Sequence, residues 1–216
     1  MDNNTNANPF TIGNDENERL ALEECAKRQR IDHRASILVI PAGRCSLAIK
    51  FARLGASVTV GDEAASQRET EGRILAAGLR DDITFATMSL ADLSANSPGE
   101  PYDIIVLRRG LCSMPYEQAR IVVRQLLLKL KIGGKLYISI LGLHSELGEG
   151  YPGGELPIDQ RFAPLAPALA KKYGIVRPVC LYTERNLFML LLEAGASVLR
   201  TLTTTYGNVK GVAVRV

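Results

Sequence analysis

Residues 37–62 read ILVIPAGRCSLAIKFARLGASVTVGD, and the pattern changes period twice within that span. The run 36–40 is short, apolar and rich in β-branched residues, as expected of a strand buried on both faces. Leu47, Ala48, Phe51 and Ala52 then fall at helical spacing, and Gly55 supplies a stop. A second strand follows at 57–60, with Asp62 just beyond it. Strand, glycine-containing turn, helix, strand and acid, in that order, place a turn and a carboxylate above the strand ends, where a doubly wound sheet opens its ligand crevice. Small turn residues let backbone approach a ligand closely, and a carboxylate at Asp62 can accept hydrogen bonds from a ribose diol. The competing role for Asp62 is N-cap of the next helix, since Asp is a favoured cap and the two roles are compatible.

Outward from this unit the same alternation continues. The pattern predicts a helix over 64–77 ending before Gly78, a strand at 83–87, and a strand at 102–107 whose Ile104, Ile105 and Val106 suggest burial on both faces. PYEQARIVVRQLLLKLK, 115–131, carries Ala119, Val122, Val123, Leu126, Leu127 and Leu130 on one helical face, with Pro115 suited to the first turn and Gly133 and Gly134 as the stop. KLYISIL, 135–141, is a fifth strand. Short connections between strands and helices imply right-handed crossovers and an open sheet covered on both sides. Residues 142–183 break the rhythm with five of the chain's ten prolines and the stretch LGEGYPGG, so they are expected to form a lid insertion with a short helix at 166–173. A last helix over 183–194 and strands at 196–204 and 209–216, joined through YGN, complete an α/β, doubly wound, mostly parallel seven-stranded sheet with a C-terminal antiparallel hairpin. Upstream, residues 1–15 are rich in Asn, Asp and Thr and are expected to be a mobile tail. Residues 16–35 form a helical extension, acidic first and basic last, which suits the helix dipole; the basic cluster at 27–34 then serves the helix and a solvated face. The main domain is 36–216.

Composition narrows the function classes. The chain has 216 residues, 46% hydrophobic and 23% charged, with a formal net charge of +3. This is a globular average, and the surplus is too small for a general polyanion binder. The cysteines at 25, 45, 112 and 180 lack the paired short spacing of a zinc site and read as reduced thiols, so no metal is expected. The first residues lack a secretory signal, which points to the cytoplasm. The longest strongly apolar run, 187–192, is too short to span a bilayer.

The stretch 37–62 resembles the first two motifs of class I S-adenosylmethionine-dependent methyltransferases. The YDIIVLRRGL strand, the long helix after it, GGKLYISIL, and the terminal helix and hairpin follow that family's order, and two final strands after five parallel ones are unlike the usual nicotinamide-binding fold. The resemblance covers about 36–141 and 184–216. The glycine motif is eroded: Val39 stands at the family's acidic position, Pro41 at its first glycine, Gly43 at the second and Cys45 at the third. Pro41 has no backbone N–H, Val39 cannot hold the amino-acid end of the cofactor, and a Cys45 side chain is expected to crowd the ligand.

The resemblance implies S-adenosylmethionine as cofactor, with Ala42 and Gly43 beneath its methionine part, Asp62 on the ribose with Glu63 beside it, Ser89 at the adenine amino group and Leu90 against the ring. Leu107 and Arg108 would line the sulfonium side, with Arg109 toward the substrate. Ser89 could instead cap a short helix with Ala91 and Asp92, and one of the two arginines could pair with a nearby acid. His144 would be the catalytic base, with Ser145 and Tyr151 at the substrate, although positioning alone serves many methyl transfers and His144 could be a loop residue without a role. The expected function is methyl transfer to a small-molecule nucleophile, with a protein acceptor as a second class. No NPPY-type motif for base methylation is present, hence no nucleic-acid signal of that kind. The rivals are a catalytically inactive relative serving as a binding or assembly module and, less well matched by PAGRCS, a nicotinamide-dependent oxidoreductase.

Overall fold

The computed structural model describes residues 16–30, 33–91, 93 and 101–216. The tail expected at 1–15, and Asp92 of the alternative cap, lie outside the described residues. Seven strands form one sheet: β1 (Ser36–Ile40), β2 (Ser57–Asp62), β3 (Ile83–Thr87), β4 (Tyr102–Arg108), β5 (Leu130–Ile140), β8 (Ala196–Thr203) and β9 (Val209–Arg215), in the order β3-β2-β1-β4-β5-β9-β8. The first five are parallel, and the β8–β9 hairpin joins β5 antiparallel. This is the architecture expected from the sequence.

Alternation of side chains along a strand explains why SILVI is apolar throughout. Ile37 and Val39 join a layer with Val58, Val60, Ile104 and Val106, covered by α1 (Glu16–Arg28) and α2 (Ser46–Arg53). Leu38 and Ile40 face the opposite layer with Ile105, Leu107, Leu136 and Ile138, covered by α4 (Tyr116–Leu128) and α6 (Glu184–Glu193). Helix α3 (Gln67–Ala76) packs beside β3 at the sheet edge.

Three local expectations are corrected. Gly133 and Gly134 do not end the long helix. It stops at Leu128, with Lys129 as C-cap, and the chain enters β5 at Leu130, where a register irregularity against Tyr102 and Ile104 absorbs the glycines. Pro115 is the N-cap of that helix rather than a first-turn residue. Between Leu141 and Tyr182, β6 (Phe162–Ala163), α5 (Pro167–Tyr173) and β7 (Val179–Cys180) pack against the sheet, and Leu147, Tyr151, Leu165, Leu181 and Tyr182 are buried in the same layer as α4 and α6. The insertion is therefore part of the core.

In the basic cluster before β1, Lys27, Arg30 and Arg34 are exposed, as expected of a solvated face, and three of its basic residues are also paired with acids. His33 Nε2 lies 3.3 Å from Asp103, Arg28 lies 3.5 Å from the same carboxylate, and Arg34 bonds Asp82 and the Gly55 carbonyl. Among the described residues no helix is long and apolar enough to cross a membrane.

Candidate functional site

Strand order reverses between β1 and β4, because β1 leads to β2 over one face and β4 to β5 over the other. A doubly wound sheet opens its crevice at the carboxyl ends of such a pair. Here the β1 end supplies the turn Pro41–Cys45. Gly43 has φ +54° and Cys45 φ +59°, so the backbone turns through the left-handed region twice before Ile49 N–H donates to the Cys45 carbonyl at 2.9 Å and α2 begins. Ala42 and Cys45 are each 1% exposed. Cys45 belongs to the layer with Leu47, Val60 and Ile74, so its thiol points into the protein and does not crowd a ligand above the turn. Burial pushes that thiol's pKa up. Gly43 stays exposed, and Arg73 of α3 donates to its carbonyl at 2.8 Å.

At the β2 end, Asp62 is half-buried, and its Oδ1 accepts from the Glu63 amide at 2.9 Å. The positions before the following helices are held by Glu63 and Ser66, neither with a side-chain capping bond, so Asp62 is not the cap of α3. Its second carboxylate oxygen has no protein partner among the described residues. Glu63 is exposed.

The β3 end folds over the sheet edge. Met88 donates its amide to the Asp62 carbonyl at 2.8 Å, and its sulfur lies 3.1 Å from where a Cβ on Gly61 would stand. Ser89 is exposed and Leu90 half-buried. Leu90 rests directly on the backbone of Gly110, where a Cβ would overlap its methyl group. Leu90 and the β4 end are thus brought together.

At β4 the two expected residues part by strand parity. Leu107 is 0% exposed and faces the α4 layer, so it does not line the crevice. Arg108 points to the other face, where its Nη1 donates to Glu18 of α1 at 2.9 Å and its Nη2 lies 3.0 Å from the place of a Gly43 Cβ. Arg109 has φ +61°, is half-exposed, and donates its amide to Ser139 at 2.7 Å.

Beyond β5, His144 is exposed and lines a cavity of about 240 Å³ with Ser145, Glu146, Tyr173, Tyr206 and Asn208. Ser145 Oγ donates to the Gly142 carbonyl at 2.6 Å. Glu146 pairs with Lys172 and accepts from Tyr173 Oη, and these two hydrogen bonds hold its carboxyl below the ordinary carboxylate range. Asn208 is 8% exposed and its buried Oδ1 has no hydrogen-bond partner among the described residues. Tyr151 is placed elsewhere: it is 5% exposed, with its hydroxyl 2.6 Å from the carbonyl oxygens of Arg161 and Val179. It braces the insertion and is not a substrate contact.

No protein-family model and no curated protein matches the sequence. Solved structures do match in shape. A SAM-dependent methyltransferase from Methanosarcina mazei is 21% identical, with a TM-score of 0.66 over 88% of this chain and 95% of that one. PigF with SAH is 15% identical, with a TM-score of 0.62 over 92% of this chain and 56% of that one. An O-methyltransferase family 2 protein from Planctomyces limnophilus, in complex with apigenin, is 14% identical, with a TM-score of 0.62 over 90% of this chain and 57% of that one. The chain spans little more than half the length of the latter two.

The chain has the class I methyltransferase fold.

Arg108 stands against Gly43 and Leu90 against Gly110, and Asp62 closes β2 at the same end of the sheet, while Leu107 and Tyr151 are buried in the opposite layer. Val39, at the eroded acidic position, is 0% exposed inside the packed layer. The sequence reading missed Glu18, Arg73, Met88 and Asn208. Strand parity would have separated Leu107 from Arg108. For Glu18, which lies 90 positions from Arg108, no local signal exists.

Proposed function

We propose that the crevice binds S-adenosylmethionine and that the protein transfers its methyl group to a small-molecule nucleophile, with the acceptor entering from the His144 cavity. The observation that carries this reading is Asp62: a half-buried carboxylate at the β2 end, not spent as a helix cap, with one oxygen unpartnered among the described residues. A ribose diol offers the two donors that such a group accepts. The remaining donor set also suits the cofactor. Gly43 is exposed beside Arg108, Met88 and Leu90 give an apolar wall for a purine, and Ser89 is exposed for a polar contact at its rim.

Bound there, the cofactor supplies an electrophilic methyl group on a sulfonium. The chain's own residues orient and exclude water. Asp62 fixes the sugar and the Gly43 turn sets the depth of the cofactor, while Leu90 and Met88 keep the ring dry. His144 stands at the mouth of the acceptor cavity, where its imidazole nitrogen takes the proton from the acceptor's hydroxyl or amine. Asn208 lines the same cavity, with its Oδ1 buried beneath the cavity surface. The small volume of the cavity, about 240 Å³, supports a small acceptor over a protein segment.

Calorimetric titration with S-adenosylmethionine and S-adenosylhomocysteine tests the reading. Saturable heat at micromolar ligand, with a matching rise in melting temperature, is the expected result. No heat and no thermal shift at millimolar ligand would remove the enzyme assignment and leave the fold as a binding or assembly module.

A further inference from the structure

Any ligand with an α-amino acid end brings an ammonium and a carboxylate, and this crevice lacks the acid at position 39 and the amide at position 41 that could meet them. The structure supplies both charges from another source. Helix α1 runs against the sheet with its last turn near the β4 and β5 starts, where Arg28 donates to the Gly133 carbonyl at 2.7 Å and lies 3.5 Å from Asp103. Its first turn therefore stands at the crevice edge. There Glu18, its side chain 11% exposed, accepts from Arg108 Nη1 at 2.9 Å, and the second guanidinium nitrogen rests against Gly43.

We propose that Glu18 and Arg108 form the receptor for the amino-acid end of the cofactor, the Glu18 carboxylate meeting the ammonium and the Arg108 guanidinium meeting the carboxylate. This rests on the S-adenosylmethionine reading above. A guanidinium carries five donors in a planar fork, and Glu18 accepts from Nη1 alone, so donors remain beside the Gly43 turn for a second carboxylate. A mixed pair suits a zwitterion because each ligand charge meets its opposite and no charge is left buried alone.

The bland alternative is that the pair only fastens α1 to β4. Other contacts already do so: Asn17 donates to the Ile138 carbonyl at 2.8 Å, and Lys135 donates to Glu24 at 2.6 Å. A largely buried ion pair is at best a neutral fastener compared with apolar packing, so a purely structural role leaves its position at the crevice edge without a cause.

The test compares two ligands sharing the nucleoside and the sulfur: S-adenosylhomocysteine, and 5′-methylthioadenosine, which has no amino acid. In the wild type, S-adenosylhomocysteine should bind at least 30-fold more tightly; equal affinities would overturn the proposal without any variant. Glu18→Gln and Arg108→Met should each weaken S-adenosylhomocysteine at least tenfold and change methylthioadenosine less than twofold. Equal losses for both ligands, or no loss for either, would also overturn it. A wild type that binds neither ligand would instead strike the cofactor reading, and this inference with it. Thermal melts of each variant report any loss of folding separately.

Discussion

At the scale of single residues, the turn after β1 shows how a motif can erode while its backbone persists. Position 45 carries a cysteine, yet its φ of +59° is the left-handed conformation a glycine would supply at little cost. The side chain fits because that geometry aims it down into the layer of Leu47 and Val60. The sequence shows the missing glycine but not the direction of its replacement, which depends on packing from α2 and β2. Asp62 is the opposite case, legible because a carboxylate at a β2 end follows from order and spacing alone. Asp62→Ala should remove hydrogen bonds to a charged acceptor, each worth about 1.5–3 kcal/mol, or roughly a tenfold to hundredfold loss of affinity. Unlike Glu18→Gln, it should weaken S-adenosylhomocysteine and methylthioadenosine alike, since both carry the ribose. Unchanged affinity in titration would take Asp62 out of the site.

At the scale of elements, the strand and helix alternation was readable because the central strands β1 and β4 are buried on two faces and helices α2, α4 and α6 on one, which writes different periods into the sequence. Within the insertion at 142–183 only the short helix at 166–173 was readable, found as α5, because the prolines and glycines around it obey no period and its buried tyrosines find their partners only in the fold. Where it leaves β5, the loop passes against the β8–β9 turn so closely that neither backbone tolerates a side chain. A Cβ on Gly142 would overlap the Gly207 carbonyl, and one on Gly207 would overlap the His144 carbonyl and the Ser145 amide. Gly207 also has φ +76°. Gly207→Ala therefore combines overpacking with a strained backbone, about 2–4 kcal/mol together. At about 2–4 °C per kcal/mol for a chain of this size, the melting temperature should fall by roughly 5–15 °C. Because the same contact seats His144 and Asn208, the proposed methyl transfer should suffer beyond the loss of folded protein. A variant that melts like the wild type would show that the two loops part freely.

Across the whole molecule, the two edges of the sheet divide the work. The edge at the strand starts concentrates charge around Asp103, which is 3% exposed, accepts from the Ser36 amide at 2.9 Å and from Lys131 at 2.8 Å, and has His33 and Arg28 beside it. One carboxylate thus ties β1, β4, β5 and α1 together, far from the crevice. Burial pushes its pKa up, but the Lys131 and Ser36 hydrogen bonds and the charges of Lys131 and His33 outweigh that and hold it below the ordinary carboxylate value. Glu24, also desolvated, is held low by Lys135 and Arg28. A carboxyl with a depressed folded pKa stabilises above its unfolded value, about 4, and loses that contribution as pH falls through the folded one. Melting temperature should therefore be level down to about pH 5 and decline below about pH 4. Asp103→Asn keeps the shape and removes the titration, so it should melt well below the wild type at pH 7, with the gap closing as pH approaches 3. A gap that stays constant across a melting series from pH 7 to 3 would show that other carboxyls set the acid limit. Placing the main charged fastening at the strand starts leaves the opposite edge to carry the Glu18–Arg108 pair and the Asp62 carboxylate, the groups to which the proposed cofactor reading assigns a ligand.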